Sequence, residues 1–199
     1  MAGTRGRPGE YVRPRPTLPE HPVTSTAPPA SPDRPARVVL LMGVAGAGKS
    51  TVGLALADAL GWDFVDADDH HSVDALGKIE RGEGLTDADR APWLARLGAL
   101  VRRRLDDGPP TVLACSALRA SYREALGAGR PGVVLAWLDV PPDVLAGRLS
   151  DREGHVAGPD LLPSQLATLE APAGALRLDG TAPVAESVRA LRRHVESQT

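Results

Sequence analysis

The stretch Gly43-Val-Ala-Gly-Ala-Gly-Lys-Ser50 follows the apolar run Val38-Val-Leu-Leu-Met42 and leads into an amphipathic segment. It fits the pattern G-x-x-x-x-G-K-S/T and lies between a predicted strand and a predicted helix, the context that this phosphate-binding motif requires. Small residues there allow backbone N–H groups to converge on a phosphate at the helix N-terminus, where the helix dipole also favours an anion. The spacing differs from G-x-G-x-x-G, which disfavours a nicotinamide-binding unit. The stretch therefore predicts a loop that holds a nucleoside triphosphate.

Individual positions of this loop have predicted roles. Lys49 is expected to reach the β- and γ-phosphates and to act in catalysis, and the Ser50 hydroxyl is expected to bind Mg²⁺. Lysine is rare in the chain, because Lys49 and Lys78 are the two lysines among 23 basic residues. The predicted nucleotide-binding residues are Gly43, Val44, Ala45, Gly46, Ala47, Gly48, Lys49, Ser50 and Thr51.

Short apolar runs alternate with longer amphipathic segments from Arg37 onward. Most of the apolar runs are continuous, which is typical of strands buried on both faces of a parallel sheet. The alternation predicts one three-layer α/β domain over residues 37–199, with a parallel sheet of about five strands. The predicted strands are Val38 to Met42, Trp62 to Val65, Thr111 to Cys115, Val133 to Asp139 and Ala175 to Leu178. The predicted helices are Lys49 to Leu60, Ala88 to Leu105, Leu118 to Leu126, Pro142 to Asp151 and Pro183 to Glu196.

The composition argues against several other classes of protein. A net charge of -2 gives no reason to expect a nucleic-acid partner. A single cysteine, Cys115, excludes an intrachain disulfide and fits a reducing compartment. No apolar run reaches the roughly 18 residues of a membrane span, and the N-terminus lacks the apolar core of a signal peptide. We therefore expect a cytoplasmic protein without a membrane partner.

Residues 1–36 differ from the rest of the chain. They contain nine prolines and no apolar periodicity. Such a segment cannot bury enough surface to offset the entropy of ordering it. We predict a disordered N-terminal tail that precedes the domain.

Two carboxylates follow the second predicted strand, in Phe64-Val-Asp-Ala-Asp68. Open α/β sheets bind ligands at the carboxyl ends of their strands, so Asp66 and Asp68 are expected beside the phosphate loop. One carboxylate can help to hold Mg²⁺ through water, and the other can orient and deprotonate an attacking hydroxyl. The alternative is that both acids solvate a turn and cap the following helix.

The rest of the sequence narrows the class of nucleotide-binding protein. Regulatory GTPases read guanine with Asn-Lys-x-Asp, and this chain contains no asparagine. Motor-type ATPases need a carboxylate at the end of a strand, whereas the third predicted strand ends in Cys115-Ser116. Small-molecule kinases remain the leading class.

Six blocks follow one another along the chain. They are Leu41 to Ser50, Asp66 to His71, Lys78 to Leu94, Cys115 to Arg123, Arg148 to His155 and Leu161 to Pro172. In this order they resemble the gluconokinase family, the phosphate-loop type related to shikimate kinase. The resemblance covers essentially residues 37–180 and implies ATP-dependent phosphorylation of D-gluconate to 6-phosphogluconate. It also implies a nucleoside-monophosphate-kinase-like fold with a lid and, commonly, a homodimer.

The resemblance assigns roles on the acceptor side. Gluconate carries a carboxylate and a row of hydroxyls, so its site should combine cations with hydrogen-bond acceptors. The expected cations are Lys78, Arg90 and Arg123, and the expected hydroxyl-binding residues are Asp68 and His71. Asp68 is expected to lie nearest the 6-hydroxyl as the candidate base, and Asp66 on the metal side.

Arg148 and Arg152 are four residues apart on a predicted helix and therefore lie on the same side of it. A mobile lid would use such guanidinium groups to bind transferring phosphates and to exclude water. We expect Arg152 to act in catalysis and Arg148 to bind the nucleotide. The alternative is a surface pair that interacts with Asp151 or Glu153.

Local signals around the second predicted helix, Ala88 to Leu105, have structural explanations. Thr86 and Asp89 are predicted to cap its start, and Trp93 is predicted to belong to the core.

The residues alone leave two other functions open. The chain could phosphorylate another sugar acid or small polyol with the same fold, or it could be a nucleotide-binding regulator without catalysis.

Overall fold

A computed structural model describes residues 35–81, 83–150 and 161–198. The predicted N-terminal tail therefore lies outside the described residues, apart from positions 35 and 36.

The described chain contains one five-stranded sheet. Its order is β2-β3-β1-β4-β5, and every neighbouring pair is parallel. The register places Val38 opposite both Thr111 and Val133, so β1, β3 and β4 begin level. β4 continues two residues beyond the end of β1, and β5 pairs with that C-terminal part of β4. These observations confirm the predicted parallel α/β sheet. The strands are β1 (Val38–Met42), β2 (Asp63–Asp66), β3 (Thr111–Ala114), β4 (Val133–Asp139) and β5 (Leu176–Asp179).

Helices cover both faces of the sheet, which confirms the three-layer arrangement. On one face the core contains Leu56, Leu145 and Leu191, and on the other it contains Leu97 and Leu126. The helices are α1 (Lys49–Leu60), α2 (Val73–Glu80), α3 (Asp87–Asp106), α4 (Ala120–Ala125), α5 (Pro142–Ser150), α6 (Leu162–Thr168) and α7 (Val184–Glu196).

The continuous apolar runs predicted strands buried on both faces of the sheet, and fewer strands than expected are fully buried. Every residue of β1 and of β3 is buried. β4 alternates between buried and partly buried residues, and the edge strands β2 and β5 are largely partly buried or exposed. The expectation was therefore wrong for β2, β4 and β5, because only the middle of the sheet has helices packed fully against both faces.

Two short helices and one turn were not predicted. A 3-10 turn at Ala67–His70 and the helix α2 lie between β2 and α3, and α6 precedes β5. The two missed helices have eight and seven residues, which is too short to establish a clear apolar period. Ser72 nevertheless gave a local signal for α2, because its side chain accepts a hydrogen bond from the Ala75 N–H.

The start of α3 agrees with the sequence analysis. Thr86 accepts a hydrogen bond from the Asp89 N–H, and the Asp89 carboxylate accepts one from the Thr86 N–H, which completes the predicted capping box. Trp93 is buried as predicted, with 4% of its surface exposed. None of the helices in the described ranges combines the length and the apolar character that a membrane crossing needs.

Candidate active site

Three segments that carry predicted site residues follow β1, β2 and β3 at one edge of the sheet. The phosphate loop follows β1, the two carboxylates follow β2, and the segment Cys115 to Arg119 follows β3. Gly43 donates a backbone hydrogen bond to the Ser116 carbonyl, which joins the first and third of these segments. Parallel strands thus bring together chemistry that is distant in sequence.

Glycine is required at specific positions of the phosphate loop. Gly43 has a φ of 152°, and a Cβ there would lie 3.0 Å from the carbonyl oxygen of Leu138. Gly48 has a φ of 95° and caps the N-terminus of α1. The Nζ of Lys49 lies 3.1 Å from the Val44 carbonyl, so the ammonium group folds back over the loop. The loop therefore has the backbone form that a phosphate cradle needs.

Ser50 and Asp66, the two predicted metal residues, are in direct contact. The Ser50 hydroxyl donates a hydrogen bond of 2.7 Å to Oδ2 of Asp66, whose other oxygen accepts the Asp68 N–H at 3.1 Å. Asp66 thereby also caps the 3-10 turn, so the capping alternative holds together with the functional one. A hydroxyl and a carboxylate supply the hard oxygen ligands that Mg²⁺ prefers, and this pair fits a magnesium ion shared with phosphates.

Asp68 faces solvent within the cleft, with 78% of its side chain exposed. Desolvation by the surrounding protein raises the pKa of its carboxyl, Lys49 opposes the rise, and the charges of Asp66 and Asp69 add to it. Because water reaches the exposed carboxylate, screening limits these effects. Asp68 is therefore an accessible carboxylate close to the phosphate-binding lysine.

His71 lies against the core. Its ring stacks on Trp93 with centroids 4.5 Å apart, and only 7% of its side chain is exposed. Desolvation lowers its pKa to about 4, and the charges of Arg96 and Arg90 act in the same direction. Nε2 lies 3.9 Å from Asp68, while the buried Nδ1 has no hydrogen-bond partner among the described residues. The imidazole is therefore neutral at neutral pH.

Lys78 connects α2 to the start of α3. Its Nζ donates a hydrogen bond of 2.7 Å to Asp89, which is part of the capping box. The hydrogen bonds from Lys78 and Thr86 hold the pKa of Asp89 well below its usual range. With 37% of its side chain exposed, Lys78 remains accessible to a ligand.

Arg90 belongs to a cluster that the sequence analysis did not identify. The guanidinium carbons of Arg90 and Arg119 each lie 5.7 Å from the centre of the Tyr122 ring. Asp87 accepts hydrogen bonds from both arginines and from the Tyr122 hydroxyl. We call these four residues the two-arginine cluster. It carries one net positive charge, and its arginine side chains are 28% and 41% exposed.

Arg123 is hydrogen-bonded to the backbone of the turn that precedes α4. It is buried, and its Nη1 donates hydrogen bonds to the carbonyls of Ala117 and Leu118. Ala117 has a φ of 46°, an unusual conformation for a residue with a Cβ. Arg123 therefore holds the turn that carries Arg119, and its own contact with an acceptor stays a prediction.

Arg148 lies on the other side of the phosphate loop. Its guanidinium donates hydrogen bonds to the carbonyls of Gly46, at 3.4 Å, and Gly180, at 2.8 Å. These residues line a recess of about 190 Å³ together with Thr51, Ala182 and others. Gly180 is required there, because a Cβ would lie 2.3 Å from Val140. The predicted partner Arg152 lies outside the described residues.

The sheet edge has two halves. One half is the recess beside Gly46 and Arg148, next to the phosphate loop. The other half contains Asp68, which is close enough to Lys49 for that charge to lower its pKa, and Arg90 of the two-arginine cluster, which is close enough to His71 to lower the pKa of the imidazole. The arrangement can hold a phosphate donor on one side and a small anionic acceptor on the other.

Comparisons with known proteins show which family the chain resembles. A family model described as an AAA domain matches residues 38–172. A gluconokinase of Gluconobacter oxydans is 46% identical over 136 residues, which span 68% of this chain and 76% of that protein. The crystal structure of a gluconokinase from Sinorhizobium meliloti 1021 is 39% identical, with a TM-score of 0.70, and the match covers 82% of this chain and 96% of that one. A shikimate kinase structure from Bacteroides thetaiotaomicron is 21% identical, with a TM-score of 0.58 over 80% of this chain and 98% of that one, and shares the fold.

Proposed function

Because this chain belongs to the gluconokinase family of phosphate-loop kinases, we propose donor, metal and acceptor roles for the side chains at its sheet edge. The family gives the reaction: the enzyme phosphorylates gluconate with ATP. We place the transfer at the 6-hydroxyl, with ADP and 6-phosphogluconate as products. The observation that supports this most directly is the exposed carboxylate of Asp68, which is close enough to Lys49 of the phosphate loop for that charge to lower its pKa.

On the donor side, residues 43–51 bind the phosphates of ATP, with the backbone N–H groups at the start of α1 as the principal donors. The N–H groups of Gly43 and Ala45 instead donate to Ser116 and Gln165. Lys49 moves from the Val44 carbonyl to the β- and γ-phosphates, because a phosphate is a stronger acceptor for an ammonium group than a neutral carbonyl. Arg148 and Thr51 border the recess for the nucleoside. We keep Arg152 as a proposed catalytic arginine on the strength of its position in the family block.

Ser50 and Asp66 are the residues that would hold Mg²⁺. The ion supplies charge neutralisation for the phosphate oxygens when it is bound. The existing hydrogen bond lets Asp66 orient the Ser50 hydroxyl so that its lone pairs face the ion. Asp66 then contributes either directly or through a bound water.

On the acceptor side, Asp68 accepts a hydrogen bond from the 6-hydroxyl and directs its oxygen at the γ-phosphorus. The oxygen forms a bond to phosphorus, the bond to the β,γ-bridging oxygen breaks, and the hydroxyl proton passes to Asp68. Phosphoryl transfer has a loose transition state in most analyses, so orientation contributes more than early proton removal. The raised pKa of Asp68 suits a group that takes up this proton as the bond forms.

The carboxylate of gluconate needs a positive site at a distance from the transferring phosphate. Arg90 and Arg119 provide one, because Asp87 neutralises one of the two charges and both guanidinium groups are partly exposed. We therefore propose Arg119 as a carboxylate-binding residue in addition to Arg90. Lys78 keeps its proposed role as a cation of the acceptor site, and His71 keeps its proposed contact with an acceptor hydroxyl. Arg123 supports Arg119 by holding the turn at Ala117.

A coupled ADP-release assay tests the proposal with gluconate, a second aldonate, the uncharged polyol glucitol, and shikimate. We expect ADP release to depend on gluconate, and Lys49→Ala to lower kcat/KM by about a hundredfold or more. Arg103→Ala removes an exposed cation from the last turn of α3 and serves as the matched control, with unchanged turnover expected. Turnover with shikimate or another aldonate in place of gluconate would refute the acceptor assignment.

Two further proposals concern the state of the protein in the cell. The buried free thiol of Cys115 and the family relationship support a cytoplasmic enzyme. The resemblance also supports a homodimer. Sedimentation equilibrium of the full chain tests the second proposal, since a mass near 20.8 kDa at micromolar concentration would contradict it.

A further inference from the structure

One family block, Leu161 to Pro172, has no role in the proposed phosphoryl transfer. It nevertheless contacts both the phosphate loop and the turn that carries Arg119. It forms α6 and the three residues that follow the helix C-cap. Oε1 of Gln165 accepts a hydrogen bond of 2.7 Å from the backbone N–H of Ala45. A side chain from α6 therefore binds directly to the third residue of the phosphate loop, 120 positions away in sequence.

The other end of the same segment is bonded to the acceptor half. The Glu170 N–H donates a hydrogen bond of 2.9 Å to the Leu118 carbonyl. Oε2 of Glu170 accepts one of 2.6 Å from the Ala120 N–H, at the start of α4. Arg119, proposed above as a carboxylate-binding residue, lies between these two positions. Glu170 thus fixes the backbone on both sides of Arg119.

We call residues 162–170 the bridging segment, since it joins the loop that holds the phosphate donor to the turn that holds the acceptor. Leu162 is buried, and Leu166 and Leu169 pack against the core on the α1 face. Leu169 also packs against the core on the α3 face. The segment is therefore anchored between its two polar ends and can transmit a fixed spacing from one end to the other.

We propose that the bridging segment sets the distance between donor and acceptor, and that Gln165 is the positioning residue at its phosphate-loop end. In-line transfer requires the attacking oxygen and the phosphorus at near-contact distance, and a displacement of about 1 Å can lower the rate about a hundredfold. Gln165 acts through the Ala45 backbone and Glu170 through the Leu118–Ala120 backbone. The inference rests on the proposed function, because it assigns the spacing for that transfer.

Gln165→Met tests the loop end, because methionine has a similar shape and cannot accept the Ala45 N–H. We expect kcat with gluconate to fall about tenfold or more, while the KM for gluconate, the ATP dissociation constant and Tm stay within about threefold or a few degrees. Thr168→Val is the matched control on the same helix. It removes a hydrogen bond of 2.7 Å that stays within the helix, from Thr168 to the Ser164 carbonyl, so its kcat should equal that of the wild type.

The second end provides a rescue and a coupling measurement. Glu170→Ala should lower kcat as Gln165→Met does, and Glu170→Gln should restore it, because the amide oxygen can still accept the Ala120 N–H. If one segment sets one spacing, the double variant Gln165→Met with Glu170→Ala loses little more than either single variant. If kcat of the double variant falls by the product of the two single-variant factors, the two ends act independently and the proposal is overturned.

The outcomes separate this inference from the proposed function. An unchanged kcat in Gln165→Met, or a loss explained by weaker ATP binding or a lower Tm, would refute the positioning role and leave the kinase assignment intact. A wild-type chain that releases no ADP with gluconate would instead refute the proposed function. Both results come from the same set of purified full-length variants.

Discussion

Acidification should destabilise the fold through His71. The imidazole has a pKa of about 4 in the folded chain, and an unfolded histidine has a pKa near 6.5. Between pH 6.5 and pH 4 the imidazole is therefore protonated in the unfolded chain and neutral in the folded chain. The contribution of His71 to the free energy of unfolding is fully present above pH 6.5 and decreases as the pH falls towards 4. The full difference corresponds to about 3 kcal/mol, and about 2 kcal/mol of it is lost between pH 7.5 and pH 5.

Urea unfolding at pH 7.5, 6.5, 5.5 and 5.0 measures this loss in the wild type and in His71→Phe. Phenylalanine keeps a flat ring against Trp93 and cannot be protonated. The wild type should lose about 2 kcal/mol more than the variant over this range, because other titrating groups cancel in the comparison. His194→Phe, which changes a histidine on α7, is the control. Parallel curves for the wild type and His71→Phe, within about 0.5 kcal/mol, would refute the burial argument.

Three further predictions follow from the site and its framework. Asp68→Asn should lower kcat at least about a hundredfold and change the ATP dissociation constant less than about threefold, which steady-state kinetics and nucleotide titration measure together. Arg119→Ala should raise the KM for gluconate by about tenfold or more while turnover with glucitol stays the same; an equal loss with both acceptors would contradict carboxylate binding. Gly98→Ala should cost about 1–3 kcal/mol in urea unfolding, because its Cβ would lie 2.4 Å from the Ala125 carbonyl oxygen, and an unchanged midpoint would contradict the packing of α3 on α4.

The parts of the site that the sequence predicted depend on short-range rules. A strand followed by the glycine-rich loop and α1 is a local pattern, so the loop could be located from residues 38–51 alone. Asp66 could be placed near Ser50 because parallel strands end at a common edge, and the two side chains are in contact at 2.7 Å. The capping box at Thr86 and Asp89 was predictable because the two residues lie within one helical turn of each other.

The parts that were missed depend on orientation or on long-range contacts. Arg119 and Arg123 lie in one short block, and the register of α4, which the sequence leaves open, turns Arg123 inward and leaves Arg119 at the rim. The stacking of His71 on Trp93 similarly depends on how the 3-10 turn meets α3. The contact between Gln165 and Ala45 joins residues 120 positions apart, so no local sequence pattern predicts it.

Identification of the product tests whether the enzyme transfers phosphate from ATP to the 6-hydroxyl of gluconate. The full-length enzyme is incubated with ATP, Mg²⁺ and gluconate, and ³¹P and ¹³C NMR of the mixture identify the oxygen that carries the new phosphate. We expect ADP and a phosphomonoester on the 6-hydroxyl in equal amounts, with both formed about a hundredfold or more slowly by Lys49→Ala. Phosphate on another position, or ADP with free inorganic phosphate and unchanged gluconate, would contradict it.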